Sequence, residues 1–234
     1  DLKAFDTLRA LHRGQPRWSF LDGPVTANNP LGVHHGWGRT YKDVINRYWT
    51  MRGRELRYQN GFDCQGLWVE VEVEKSLGFR SKKDIEDYGL DLFVRKCKER
   101  VLRYAAVQTE QSIRLGYWMD WDDSEQLRRL ADVLVEEPGR QITVDGPLGP
   151  VTDTAEHIVG RLGLPELGGS YFTFSNENNY MIWSFLKKCW QNGWLYRGAD
   201  VMPWCWRCAT GISQHEIVTD GYQEITHSGV TLRL

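Results

Sequence analysis

Two adjacent histidines, His34 and His35, follow a turn-rich stretch in which Gly, Pro and Asn crowd from Asp22 to Gly32. Beyond them Tyr41, Val44, Ile45 and Tyr48 recur at helical spacing, so the pair is expected in the first turn of a helix whose apolar face these four residues form. A helix N-terminus presents unpaired N–H groups and the positive end of the helix dipole, and an imidazole there donates to phosphate oxygens. That is anion-binding chemistry without the lysine of a P-loop. The second chemical residue is Asp63, in Gly61-Phe-Asp-Cys-Gln-Gly-Leu-Trp-Val-Glu70. A carboxylate there could hold a substrate ammonium group, although an Asp after a strand is more often a helix N-cap. The third feature is Cys205 and Cys208, whose spacing suits half a zinc site; a redox pair and a chance pair compete with that reading.

The elements that must position these groups are legible in part. Trp18 to Leu21 and Glu55 to Asn60 read as strands, and Gly53 is a natural stop for the helix between them. A βαβ unit puts the ends of its parallel strands on one edge, which would bring Asp63 close to the histidine turn. Trp68 to Lys75 fits a strand by alternation and a helix by Leu67, Val71 and Glu74. Asp91 to Leu115 is a helix with Phe93, Cys97, Val101, Tyr104 and Gln108 on one stripe, and Cys97 is read as core packing. The acids of Leu115 to Asp123 are read as caps of a structural loop rather than a metal site.

Ser124 to Gly169 differs from its surroundings. Asp123 with Gln126 can cap a helix carrying Leu127, Leu130, Ala131 and Leu134; Gln141 to Gly146 alternates like a strand; and Asp153 with Glu156 has capping-box spacing for a second short helix. The stretch is expected to be a small α/β insertion on the surface. After it, Ser175 should cap a helix with Ile182, Phe185, Leu186 and Cys189 buried, Gly193 should end it, and Leu195 to Pro203 should form a strand.

Composition narrows the class. With 234 residues, 41% hydrophobic, the chain can bury a sizeable core, and a net charge of -2 shows no nucleic-acid-binding excess of cations. Five cysteines without regular spacing argue against a disulfide framework and for a reducing compartment, and no apolar run reaches the ~20 residues of a membrane span. A cytoplasmic location with no membrane partner is the expectation. The lack of an initiator Met and the abrupt Thr231-Leu-Arg-Leu234 end suggest a piece of a longer chain.

Asp22-Gly-Pro-Val-Thr-Ala-Asn28, Gly32-Val-His-His35 and Thr40-Tyr-Lys-Asp43 together resemble the first signature region of class I aminoacyl-tRNA synthetases, the isoleucyl branch in particular. That family normally carries His-x-Gly-His; aligned on Lys42 and Asp43, Gly32 replaces the first histidine, His34 falls on the glycine and His35 matches the second histidine. The motif is thus similar to a Gly-x-His-His variant, and a weakened copy is the other reading of Gly32. The family's Gly-Trp-Asp-x-His-Gly-Leu-Pro-Val-Glu resembles the Asp63 segment at Asp63, Gly66, Leu67 and Glu70, whereas Phe62, Gln65 and Trp68 depart. Ser175-Asn-Glu-Asn-Asn-Tyr180 and Trp204-Cys-Trp-Arg-Cys208 resemble two further family segments, and the segments around His215 and His227 match the approach to the editing insertion.

The resemblance implies an α/β fold with a Rossmann-like, nucleotide-binding parallel sheet, the first half of a class I catalytic domain. Residues 1–123 would be its first part, 124–169 the insertion, 170–204 its continuation, and 205–234 the CxxC half zinc site and the start of the editing insertion. It favours a helix for Trp68 to Lys75. It implies ATP-dependent activation of isoleucine with Mg²⁺ and transfer to tRNA(Ile) by a monomeric parent. Catalysis would fall to His34 and His35, ATP binding to Gly32, His34, His35 and Gly36, and amino acid binding to Gly23, Pro24 and Asp63. Cys205 and Cys208 would hold Zn²⁺ with a later cysteine pair. The family's Lys-Met-Ser-Lys-Ser signature appears nowhere in the sequence, so this piece is expected not to charge tRNA. The alternatives are leucyl or valyl specificity, a non-catalytic paralogue that only binds nucleotide, and a related nucleotidyltransferase, which would lack the Asp63 and CxxC motifs.

Overall fold

A computed structural model describes residues 3–213, 224 and 226–233. In chain order the elements are α1 (Ala4–Leu11), β1 (Arg17–Leu21), β2 (Val25–Thr26), α2 (Val33–Met51), β3 (Glu55–Gln59), β4 (Gly61–Asp63), α3 (Leu67–Leu77), α4 (Lys82–Tyr88), α5 (Leu90–Arg114) and α6 (Ser124–Glu136). They continue with β5 (Gln141–Gly146), β6 (Gly149–Thr154), α7 (Ala155–Gly160), β7 (Tyr171–Phe172), α8 (Asn176–Gln191), β8 (Trp204–Cys205) and β9 (Thr210–Gly211). β1 and β3 pair in parallel with Trp18 opposite Leu56 and Phe20 opposite Tyr58, and α2 is the crossover between them. β4 lies between β2 and β7, all parallel, with Thr26 opposite Asp63 and Phe62 opposite Phe172. The fold is α/β with parallel strands and crossover helices, as anticipated. Leu67–Leu77 is a helix, so the alternation of Val and Glu there does not make a strand.

The polar side of α2 is the buried one, and the apolar face read from the sequence is turned outward. Tyr41, Val44, Ile45 and Tyr48 are all at least half exposed, while Arg39, Asp43, Asn46 and Thr50 are buried. Burying polar groups is tolerable only with partners, and other segments supply them. Asp22 and Ser112 Oγ accept from Arg39, Asp43 accepts from the Trp118 N–H (2.8 Å), and Asn46 Oδ1 accepts from the Trp18 indole (2.9 Å). Periodicity identified the helix and its two faces but not which face meets the sheet.

The segment 124–169 is likewise not a surface appendage. α6 packs along α5, and Leu127, Leu130, Ala131, Leu134, Ile142, Val144, Ile158 and Val159 share one buried cluster with Ala27, Phe62, Val101, Leu102, Ala105 and Phe172. Asp123 caps α6, accepting from Glu125 N at 2.9 Å. The short α7 is capped by Thr154 rather than by Asp153, whose carboxylate instead meets His157 Nδ1 at 3.1 Å. A second cluster of Leu56, Tyr58, Tyr117 and Met119 lies against Phe5 and Trp18, and a third joins Val73, Ile85 and Phe93.

Two expectations for the later part fail. Ser175 does cap α8, accepting from Asn178 N at 3.3 Å, but none of that helix is buried: Ile182 and Phe185 are exposed and Leu186 and Cys189 half-buried. Residues 194–203 form no strand and are exposed. The last of these meets the β8–β9 hairpin, where the Pro203 carbonyl accepts from the Ile212 N–H at 3.0 Å. His215 lies outside the described residues; His227 is exposed and in no element.

Candidate functional site

The site begins at the N-terminus of α2. Gly32 is the N-cap, with extended backbone, and His34 and His35 occupy the first turn. His35 Nδ1 accepts from the Gly32 N–H at 3.1 Å, the return half of a capping box that glycine has no side chain to complete. The two imidazoles lie with centroids 3.8 Å apart. A Cβ on Gly32 would fall 2.8 Å from His34 Cε1, so the His34 ring occupies the space that a side chain at position 32 would need. Burial, then His34 and the Arg39 charge, hold His35 below the usual imidazole range. At neutral pH the ring is therefore uncharged. With Nδ1 accepting, Nε2 carries the proton and is a donor for an anion.

A cavity of about 350 Å³ opens beside this turn. His34, His35, Gly23 and Pro24 line it, together with Thr26, Arg39 and Lys42. Gly32 and Gly36 do not: Gly32 is turned to His35, and the Gly36 carbonyl accepts from Tyr117 Oη at 2.7 Å. Asp63 stands one ladder over, at the end of β4, where its Oδ2 accepts from Thr26 Oγ1 at 2.9 Å. Asp63 itself does not line the cavity; the parallel pairing sets its carboxylate against Thr26, which does. Tyr171 donates to the Asp22 carbonyl at 2.7 Å, and its ring leaves no room for a Cβ on Gly61, 2.1 Å away.

Asp22, Arg39 and Lys42 carry charge into this site and were given no role from the sequence. The Asp22 side chain is fully buried and pairs with Arg39 Nε at 3.1 Å and with Lys42. The overlooked signal is the polar series His35, Arg39, Asp43, Asn46 and Thr50, which follows a helical repeat as regular as the apolar one.

Cys205 and Cys208 lie apart from the cavity on the β8–β9 hairpin. The Cys208 N–H donates to Cys205 Sγ at 3.3 Å, which lowers the Cys205 thiol, while burial and then the neighbouring Cys205 side chain raise that of Cys208. Among the described residues no group of three or more His, Cys, Asp or Glu could hold a metal, so the pair offers two donors of the four a structural zinc takes. Between the cysteines, Arg207 reaches Glu74 of α3 at 3.2 Å; Glu74 is buried and also takes Lys82 at 2.8 Å. Among the described residues no helix is long and apolar enough to cross a membrane.

The family model described as tRNA synthetases class I (I, L, M and V) matches residues 1–128 and 151–229. The chain is similar to the isoleucine–tRNA ligase of Thermobifida fusca, 33% identical over 99% of this chain and 17% of the relative. It is similar to that of Streptomyces coelicolor, 34% identical over 94% and 16%. The ligase of Pyrococcus horikoshii is 32% identical over 91% and 16%. The chain therefore spans about a sixth of the length of these curated relatives. With the histidine turn, the Asp63 ladder and the parallel strands in the family's order, the chain belongs to the class I tRNA synthetases of the I, L, M and V group.

Proposed function

We propose that this chain is the part of an isoleucine–tRNA ligase that receives ATP and isoleucine. The observation that carries the reading is the convergence of His34, His35 and Pro24 on one cavity, with Asp63 hydrogen-bonded to Thr26 of its wall. Asp63 takes the substrate ammonium, Gly23 and Pro24 floor the amino acid pocket, and His34 and His35 meet the ATP phosphates. The isoleucine carboxylate attacks the α-phosphorus, the bond to the bridging oxygen breaks, and pyrophosphate leaves. The acyl group of the adenylate then passes to the 3′ end of tRNA(Ile), releasing AMP. Mg²⁺ would neutralise charge on the phosphates.

Such chemistry depends on positioning and charge stabilisation more than on a covalent nucleophile. A neutral His35 with Nε2–H suits it, since it donates to developing charge without a prior proton transfer. The His34 ring, filling the space beside Gly32, supplies the second imidazole that the altered motif would otherwise lack. Gly32 and Gly36 serve the phosphate site through the backbone turn they shape. Cys205 and Cys208 hold zinc only when a further cysteine pair completes the set, and the protein works in the cytoplasm as a monomer.

The test is ATP–pyrophosphate exchange by the protein containing this sequence, with isoleucine, valine and leucine in parallel. Exchange highest with isoleucine, and reduced about 100-fold or more by Asp63→Ala, is the expected result. Exchange with leucine or valine above isoleucine would sink the specificity, and full exchange without Asp63 would sink its role. The 234-residue chain, without the Lys-Met-Ser-Lys-Ser signature, is expected to bind ATP weakly and not to charge tRNA.

A further inference from the structure

Arg39 is 2% exposed, and only two of its three guanidinium nitrogens have partners: Nε donates to Asp22 at 3.1 Å and Nη1 to Ser112 Oγ at 3.2 Å. Nη2 is buried with no hydrogen-bond partner among the described residues. Buried donors in folded proteins are paired with few exceptions, and leaving a charged one unpaired is costly. Arg39 lines the cavity that His34 and His35 line. So does Lys42, three residues on, whose ammonium rests on the other oxygen of Asp22 while its side chain is 36% exposed. Among the lining residues Asp22 is the sole acid, so two cations share one carboxylate beside the positive end of a 19-residue helix.

We propose that Arg39 and Lys42 form a second anion-gripping pair in this cavity, selective for the polyphosphate chain of the nucleotide, with Asp22 as the counter-ion that holds both until phosphate arrives. The inference rests on the nucleotide reading above. Arg39 offers its spare Nη2 to a phosphate oxygen without giving up Asp22, because the planar fork has donors to serve both. Lys42 exchanges one anion for another: an ammonium on a flexible four-carbon stem reorients easily, and its partial exposure leaves a path. Asp22 is needed because two unpaired cations so close together would otherwise repel one another and cost folding energy. No covalent bond changes and no proton moves. His34 and His35 grip one end of the phosphate chain and Arg39 and Lys42 the other, which makes affinity depend on chain length.

Binding of ATP, adenosine and inorganic tripolyphosphate to the purified protein containing this sequence, measured by calorimetry, tests this with Lys42→Met, Lys42→Arg and Arg39→Lys. Lys42→Met is expected to weaken ATP and tripolyphosphate about tenfold, the size of one charge-assisted contact, and to leave adenosine within about twofold. Lys42→Arg restores most of the loss. Arg39→Lys, which keeps the charge and removes Nη2, weakens the polyphosphates by a similar factor; if circular dichroism shows it unfolded, the Lys42 variants decide alone. ATP binding unchanged by both Lys42→Met and a folded Arg39→Lys would overturn the inference and leave the nucleotide reading standing. Tripolyphosphate binding that depends on Lys42 but gains nothing from the adenosine would keep the pair and remove the nucleotide. A chain that binds neither ATP nor tripolyphosphate would end both.

Discussion

His35 does two things at once. Its Nδ1 closes the first turn of α2 on the Gly32 N–H, and that bond fixes the tautomer whose Nε2–H is available to an anion. Burial, His34 and Arg39 all oppose its protonation. Its ring signals in an NMR titration should therefore give a midpoint below 6.5. A depressed base contributes stability that is present above the unfolded value and is lost as pH falls through the folded one, so acid should loosen this turn. Gly32 and His34 are a matched pair in the packing sense. Gly32→Ala puts a Cβ within 2.8 Å of the His34 ring and forces it to rotate, since that contact is shorter than packed carbons allow. The expected outcome is a melting temperature within a few degrees of the parent, because the ring is exposed, with nucleotide affinity down several-fold in the same calorimetry. Unchanged affinity would show that the His34 ring position is immaterial.

α2 is held by its polar side, and this is the element on which the site depends. Arg39 ties it to Asp22 and α5, and Asp43 ties it to the Trp118 backbone, so the apolar residues Tyr41, Val44, Ile45 and Tyr48 are left outward. A second junction is Asp122, between α5 and α6, whose Oδ2 accepts from the Ser170 N–H at 3.1 Å. Gly169, at φ 67°, packs so closely that a Cβ there would lie 2.2 Å from the Asp122 carboxylate. Burial raises the Asp122 carboxyl to about 6. A raised acid stabilises the fold below its unfolded value and loses that contribution as pH climbs through the folded one, here from about 4 to about 6. Because the residue keeps part of its surface in water, the loss is on the order of 1 kcal/mol. Asp122→Asn should flatten the dependence of unfolding midpoint on pH across that window, measured by urea denaturation at several pH values.

At the scale of the whole molecule, the segment 124–169 shares one hydrophobic cluster with Phe62 of β4 and Phe172 of β7. The family match omits residues 129–150, yet Leu130, Leu134, Ile142 and Val144 from that stretch are buried against residues of the matched part. Each such side chain contributes roughly 1.5–3 kcal/mol on burial, so together they rival the 5–15 kcal/mol that holds a typical domain. Leu134→Ala should cost about 2–5 kcal/mol in chemical denaturation, and deleting 129–150 should abolish cooperative unfolding. A deletion variant that melts like the parent would mean the segment merely rests on the core. On the opposite account, α8 and residues 194–203 bury little, and Trp183, Trp190 and Trp194 are all more than 60% exposed.

Local structure is legible in the sequence alone. The histidine turn, the strands that flank it, the caps Asp123 and Ser175 and the approach of Asp63 all follow from short-range rules: turn residues, periodicity and the parallel pairing of a βαβ unit. Burial was not readable in the same way. Whether α2 turns its tyrosines or its arginine inward depends on Asp22, Ser112 and Trp118, which are distant in the chain and meet it only when the sheet forms. The same holds for the 124–169 segment and for α8. An amphipathic pattern fixes two faces of an element, but the partner that covers one of them is a long-range contact, and the pattern is equally compatible with either being covered.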